Sequence, residues 1–151
     1  MLRDDNVLAI LSRKGTRIWD VTPETTVYEA LQLMAEKDIG ALLVIAGTEL
    51  RGVFSERDYA RKVVLVGETS KRMRVTEAMT SPPIVGSLSL NVDACLRLMN
   101  KYRIRHLPIV DHGVVVGVVS IGDLVSFVVS RQKEEIEELS QLIMTAGSGT
   151  S

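Results

Sequence analysis

Gly52-Val53-Phe54-Ser55-Glu56-Arg57-Asp58 and Gly117-Val118-Val119-Ser120-Ile121-Gly122-Asp123 are one pattern written twice, Gly-x-x-Ser-x-x-Asp. The match extends outward from this pattern. Val27–Tyr59 lies on Val92–Leu124 without a gap, and Leu31/Leu96, Met34/Met99, Ile39/Ile104 and Leu42/Leu107 are identical pairs within it. Most other positions exchange one apolar residue for another, as at Val44/Ile109 and Phe54/Val119. A repeat of this length is one supersecondary unit used twice. It predicts two related halves that face each other, and it carries a small polar constellation together with its core positions.

The periodicity inside each copy gives its elements. In the first, Arg17–Val21 reads as a short strand. Thr26–Lys37 reads as an amphipathic helix with Val27, Ala30, Leu31 and Met34 on one stripe, opened by the capping box Thr26-x-x-Glu29. Ala41–Ala46 and Leu50–Ser55 read as apolar strands joined by a Gly-containing hairpin. Ser55-x-x-Asp58 then opens a second helix that runs to about Val66. The second copy predicts a helical turn over Val75–Met79, a strand near Ile84-Val85 and a helix over Val92–Tyr102. Strands at Leu107–Val110 and Val115–Ser120 follow, and then a helix from Gly122. The last helix outruns the repeat, because Ile136, Leu139, Leu142 and Ile143 keep helical spacing beyond it.

These readings divide the chain into a helical segment at 1–15, a first repeat at 16–66, a linker at 67–74 and a second repeat at 75–130. A helix extension at 131–146 and a tail at 147–151, expected to be disordered, complete it. The fold class is α/β (α+β): two tandem βαββα repeats and a long C-terminal helix. The hairpin strands are too apolar for a sheet with one wet face, so they require cover from helices and from the other half.

Composition excludes several function classes. The apolar fraction is 46% and the aromatic fraction 4%, which predicts an aliphatic core. A net charge of −1 gives no general attraction to nucleic acid or to an anionic membrane. The basic stretch Lys71–Arg74 is short and lacks interleaved aromatics, so it reads as solvated linker. No stretch reaches the ~18–20 apolar residues of a spanning helix, and the first residues carry charge where a signal peptide needs an apolar run. Cys95 stands alone, which excludes an internal disulfide and suits a reducing compartment. It occupies the slot of Ala30 in the repeat and reads as core, as do Met34 and Met99. A cytoplasmic protein is expected.

Ser55-x-x-Asp58 and Ser120-x-x-Asp123 each have a structural reading as a helix N-cap. They also have a functional one. A carboxylate at a helix N-terminus beside a chain reversal can accept both hydroxyls of a ribose cis-diol, while nearby amides and the Ser hydroxyl bind phosphate or ribose oxygens. Duplication at matched positions favours the functional reading. Arg57, Arg61 and Lys62 share a helix at near-helical spacing and read either as a solvated face or as a phosphate clamp.

The segments around these motifs resemble a known family. Tyr102–Asp111 with the following Gly113–Leu124, and Asp38–Ile45 with Gly52–Tyr59, each look like a cystathionine-β-synthase (CBS) domain, and the pair resembles a Bateman module. The resemblance covers roughly Thr16–Val129, and its layout is similar to stand-alone CBS-pair proteins. It implies two βαββα units packed sheet to sheet about a pseudo-twofold axis. It also implies clefts that bind adenosine nucleotides such as AMP, ATP, NAD or S-adenosylmethionine. By resemblance, Asp58 and Asp123 hold ribose hydroxyls with Ser55 and Ser120 beside them. The backbone near Thr16, Ile18 and Trp19, and near Thr80 and Ile84, meets the adenine edge. Gly40-Ala41 and Arg105-His106 line the clefts, and Arg105-His106 resembles the basic pair that meets phosphate. The first half lacks that pair, so unequal clefts are expected.

No constellation suits catalysis, and no catalytic cofactor or metal is expected. The reading is a nucleotide-binding regulatory module that forms a homodimer and acts in trans on an unidentified protein effector. Two rivals remain open at this level: a structural or adaptor protein with no physiological nucleotide, and a small nucleotide-using enzyme.

Overall fold

Several helices of this protein start where a side-chain oxygen accepts a first-turn amide. Asn6 accepts from Ala9 N, Thr26 from Glu29 N, Ser55 from Asp58 N and Asn91 from Ala94 N. The computed structural model describes residues 5–148, so residues 149–151 of the expected tail lie outside the described residues. In chain order the elements are α1 (Val7–Lys14), β1 (Asp20–Val21), α2 (Val27–Lys37), β2 (Ala41–Ala46) and β3 (Glu49–Ser55). Then come α3 (Glu56–Tyr59), which continues as a π-helical turn over Ala60–Val64, and α4 (Val75–Ala78). The remainder is α5 (Val92–Tyr102), β4 (His106–Asp111), β5 (Val114–Ser120) and α6 (Ile121–Ser148). α6 thus continues into Gly147 and Ser148, which the sequence assigned to a disordered tail. No helix of the described residues is long and apolar enough to cross a membrane.

The first half forms a sheet in the order β1-β2-β3, with β1 parallel to β2 and β2 antiparallel to β3. The second half forms the matching hairpin β4-β5, and both hairpins carry a register shift at equivalent places, Val44/Ile45 and Ile109/Val110. The strand expected near Ile84-Val85 is absent. The cause is Pro108, which stands where the first half has Leu43. Leu43 N donates to Trp19 O and holds β1, whereas proline has no N–H to donate. What survives is one parallel bridge, Gly86↔Ile109, made by Gly86 N to Pro108 O and Val110 N to Gly86 O.

The described residues form two cores, and the chain exchanges elements between them. Val27, Ala30, Met34, Leu42, Val44 and Phe54 pack together with Val75 and Ala78 of α4. Val92, Cys95, Met99, Leu107, Ile109 and Val119 pack together with Val7, Ile10 and Leu11 of α1. α4 opens the second repeat in sequence yet lies against α2 and β3 of the first, while α1 lies against β5 and α6 of the second. Matching backbone bonds fasten both exchanges. Val27 N donates to Met73 O and Val75 N to Thr25 O at 2.8 Å each; Val7 N donates to Leu90 O at 2.8 Å and Val92 N to Asp5 O at 3.2 Å. The halves are therefore laced into one body, and the clefts between them draw on both.

Candidate functional site

Among the described residues, two clefts between the halves gather the motif residues. The first collects Ser55, Arg57, Asp58 and Arg61 from the first repeat with Thr80, Ile84, Arg105 and His106 from the second, and Gly40 lines it too. The second collects Ser120 and Asp123 from the second repeat with Trp19, Gly40 and Ala41 from the first, and His106 also reaches it. The pairing is crosswise: the basic Arg105-His106 turn of the second repeat faces Asp58 of the first. Thr16 is exposed, Ile18 is half-buried, and neither lines a cleft. Trp19 does line one, with the Arg17 guanidinium 5.4 Å and the Lys37 ammonium 4.8 Å from its ring.

Local structure aims these side chains. α2 and α5 both end in a left-handed residue, Asp38 and Arg103, each at φ 54°. That reversal sends the chain into β2 and β4, so Gly40-Ala41 and Arg105-His106 fall on the turn between the halves. Past β3, the capping box of α3 holds Asp58 in place. Its Oδ2 accepts from Ser55 N at 2.9 Å and from Ser55 Oγ at 3.0 Å. Its Oδ1 accepts from Thr80 Oγ1 at 3.0 Å. Asp58 is 8% exposed, which for a carboxylate demands such partners. Thr80 is brought there by a two-way backbone bridge to Val53.

Arg57 Nη1 donates to the Arg103 carbonyl at 3.1 Å, which ties α3 to the turn of the other half. Arg103 joins Arg57, Arg61 and Arg105 in the lining of the first cleft, against Glu56 and Asp58. Cations therefore outnumber carboxylates there. Lys62, expected to extend the basic face, instead donates to the Met79 carbonyl at 3.0 Å and sits 3.5 Å from Asp58 Oδ1, outside the cleft lining.

The second cleft repeats the cap with a different partner. Asp123 Oδ2 accepts from Ser120 N at 2.8 Å and from Lys14 Nζ at 2.6 Å, and Lys14 Nζ also donates to the Val118 carbonyl at 2.6 Å. Burial works to raise the Asp123 carboxyl, but the hydrogen bonds from Lys14 and Ser120 and the lysine's charge outweigh it and hold the carboxyl below the usual range. His106 lies between the clefts, with its ring against Gly40. Burial lowers its pKa; Asp123 and Glu56 oppose that, while Lys14 and Arg105 add to it. Burial thus favours the neutral imidazole over its charged form. Burial likewise pushes the Cys95 thiol up, so Cys95 is a core residue with no thiolate to offer. Among the described residues no group of His, Cys, Asp and Glu is placed to hold a metal ion.

Lys14 escaped the sequence reading because it lies outside the repeat. Extending the gapless alignment toward the N-terminus sets Lys14 opposite Met79, an apolar residue, so the repeat carries no signal for it. Tyr102 and Arg103 also line the first cleft, although the sequence marks them only as part of the stretch that carries the family resemblance.

With this geometry in place, comparisons with known proteins bear on identity. The CBS-domain family profile matches residues 16–65 and 75–130. The mitochondrial CBS domain-containing protein CBSX3 of Arabidopsis thaliana is 36% identical over 137 residues; the match covers 87% of this chain and 66% of that relative's length. Among solved structures, a signal-transduction candidate with CBS domains from Burkholderia ambifaria is 48% identical, with a TM-score of 0.81 over 84% of this chain and 96% of that one. A hexameric CBS-CP12 protein from bloom-forming cyanobacteria is 28% identical, with a TM-score of 0.72 over 97% of this chain and 91% of that one. The repeat, the crosswise clefts and these matches agree: the chain belongs to the CBS-domain family and is built as a pair of CBS domains.

Proposed function

We propose that the protein is a non-catalytic regulatory module that binds an adenosine nucleotide and acts in trans on a protein effector, as a homodimer in the cytoplasm. One observation carries this reading. The first cleft joins a buried, fixed carboxylate, Asp58, to Arg57, Arg61 and Arg105, so an acceptor for a ribose diol and donors for phosphate share one space. The apolar side of Ile84 and the Thr80 backbone offer a wall for the base. AMP, ATP, NAD and S-adenosylmethionine share the adenosine that this arrangement would recognise, and the arginines favour the members that carry phosphate. Ligand energy would then shift the packing of the halves, or of two protomers, to the extent that it binds one arrangement better. The Burkholderia relative, described as a signal-transduction candidate, and the hexameric cyanobacterial relative support a regulatory role and self-association.

The test is a thermal-shift panel of AMP, ATP, NAD, S-adenosylmethionine and adenosine, followed by calorimetry of the responders. Stabilisation by a phosphate-bearing adenosine ligand is expected, with adenosine alone much weaker and Arg105→Ala erasing most of that difference. No response to any of the panel would reject the reading and leave the adaptor role. Turnover of ATP or NAD by the pure protein would reject the non-catalytic part.

A further inference from the structure

The second cleft already holds a cation, and the fold goes to some length to put it there. α1 seats Leu11 on Gly117, where a Cβ would come within 2.8 Å of Leu11 Cδ2. The bare glycine leaves the space that the Leu11 side chain fills. The last residue of α1 is Lys14, and its ammonium is directed to Asp123 Oδ2 and the Val118 carbonyl, both at 2.6 Å. Arg13, beside it, pairs with Glu134 at 2.9 Å and lies 5.1 Å from the centre of the Phe127 ring, so the helix end is anchored to α6 as well.

The first cleft presents its carboxylate differently. The side chains that donate to Asp58 from within that cleft are two neutral hydroxyls, Ser55 Oγ to Oδ2 and Thr80 Oγ1 to Oδ1, both at 3.0 Å. The nearest ammonium, Lys62, is 3.5 Å away and lies outside the lining, where it bonds to the Met79 carbonyl. Lys14, by contrast, lines the second cleft itself. A neutral hydroxyl exchanges one hydrogen bond for another when a ligand hydroxyl arrives. A charge-assisted bond is about twice as strong as a neutral one, and a ligand hydroxyl must displace it to reach this oxygen of Asp123.

Resting on the reading above, in which these aspartates accept ribose hydroxyls, we propose that Lys14 is a built-in plug of the second cleft. It neutralises Asp123 and stands where the ligand's hydroxyls would bind, so the protein takes one adenosine nucleotide per chain, in the first cleft. The asymmetry between two repeats with the same Ser-x-x-Asp pattern is then set by a residue outside both.

Calorimetric titration with AMP tests this on the full chain, using Lys14→Met, which keeps the aliphatic stem, and Lys14→Gln as a second variant should the first fold poorly. The parent protein is expected to bind one AMP per chain and the Lys14 variant two. Adding Asp123→Ala to the variant should return it to one. A variant that still binds one AMP overturns the plug. So does a parent protein that binds two, and if one of those is lost in the variant, Lys14 is a ligand-binding group instead. Binding by neither protein would overturn the proposed nucleotide function itself, a result distinct from failure of the plug.

Discussion

Asp58 and Asp123 stand in the same Gly-x-x-Ser-x-x-Asp pattern and have different partners in space, so the two carboxylates should answer mutation differently. Asp58→Ala is expected to cost about 1.5–3 kcal/mol of nucleotide binding, the scale of a charged hydrogen-bond partner, or roughly 10- to 150-fold in Kd. It also removes a helix cap worth about 1 kcal/mol of stability. A 2′,3′-dideoxy nucleotide separates the two effects: it should bind the parent protein poorly and lose little more in the variant. Equal affinity of the parent protein for ribo- and dideoxy-nucleotide would remove the diol role. His106 supplies a pH dependence. Its folded pKa lies below the ordinary value of ~6.5, so below that pH the unfolded chain binds a proton that the folded one refuses. Stability should fall as pH drops from ~6.5 toward the folded pKa, and then level off. Thermal melts of the parent protein and His106→Gln over this window should differ in slope, the variant being flatter; parallel curves would show that His106 is not the group responsible. At this scale the duplicated motif singled out the aspartates and serines, and the family resemblance singled out Arg105-His106, all of which line the clefts. Neither could reveal Lys14, whose role depends on a helix from outside the repeat reaching across to the other half.

At the scale of elements, what decides the architecture is the exchange of α1 and α4. Each is a short helix whose apolar face is completed by the repeat it does not adjoin in sequence. Glycines at equivalent points accept the exchanged segments, but they meet different atoms. A Cβ on Gly52 would lie 2.7 Å from the Thr80 carbonyl oxygen and 2.6 Å from Met79 Sδ, whereas one on Gly117 would meet only the tip of Leu11. A leucine tip can move and a bridged backbone carbonyl cannot. Gly52→Ala should therefore destabilise by about 1–3 kcal/mol, the range for overpacking, and Gly117→Ala by distinctly less; chemical denaturation of both variants measures this. Equal effects would mean that the Val53–Thr80 bridge gives way as readily as a side chain. The elements themselves were largely legible, because helix stripes, caps and hairpin strands are local signals. The exchange was not, since a buried face on a short helix does not say which core buries it. The missing strand at Ile84-Val85 shows the same limit at one residue: the composition there is strand-like, but the N–H that should hold it is removed by Pro108, in another element.

At the scale of the molecule, α6 is the part the rest of the fold does not explain. Its root is held: Glu134 pairs with Arg13 at 2.9 Å and with Arg131 at 3.1 Å, and Arg131 is 3.2 Å from Asp5. Past Glu134, residues 135–146 are exposed on every side of the helix. Isolated helices shorter than about 12–15 residues are marginal in water, and this stretch also displays Ile136, Leu139, Leu142 and Ile143 at 64%, 59%, 66% and 64% exposure. Ile136, Leu139 and Ile143 follow one another at intervals of three and four residues, the seam of a two-stranded coiled coil, with Glu137 and Glu138 off that seam. A seam of this kind is self-complementary, so a second copy of the same helix would cover it about a twofold axis. The protein should therefore be a dimer by light scattering at micromolar concentration. Ile136→Asp and Leu139→Asp should each shift it toward monomer while leaving the melting of the body nearly unchanged, because neither side chain contributes to either core. A monomeric parent protein would remove the helix pairing. A dimer indifferent to both substitutions would place the interface on another surface, where the exposed Val64, Leu65 and Val66 at the end of the π-helical turn are the next apolar candidates.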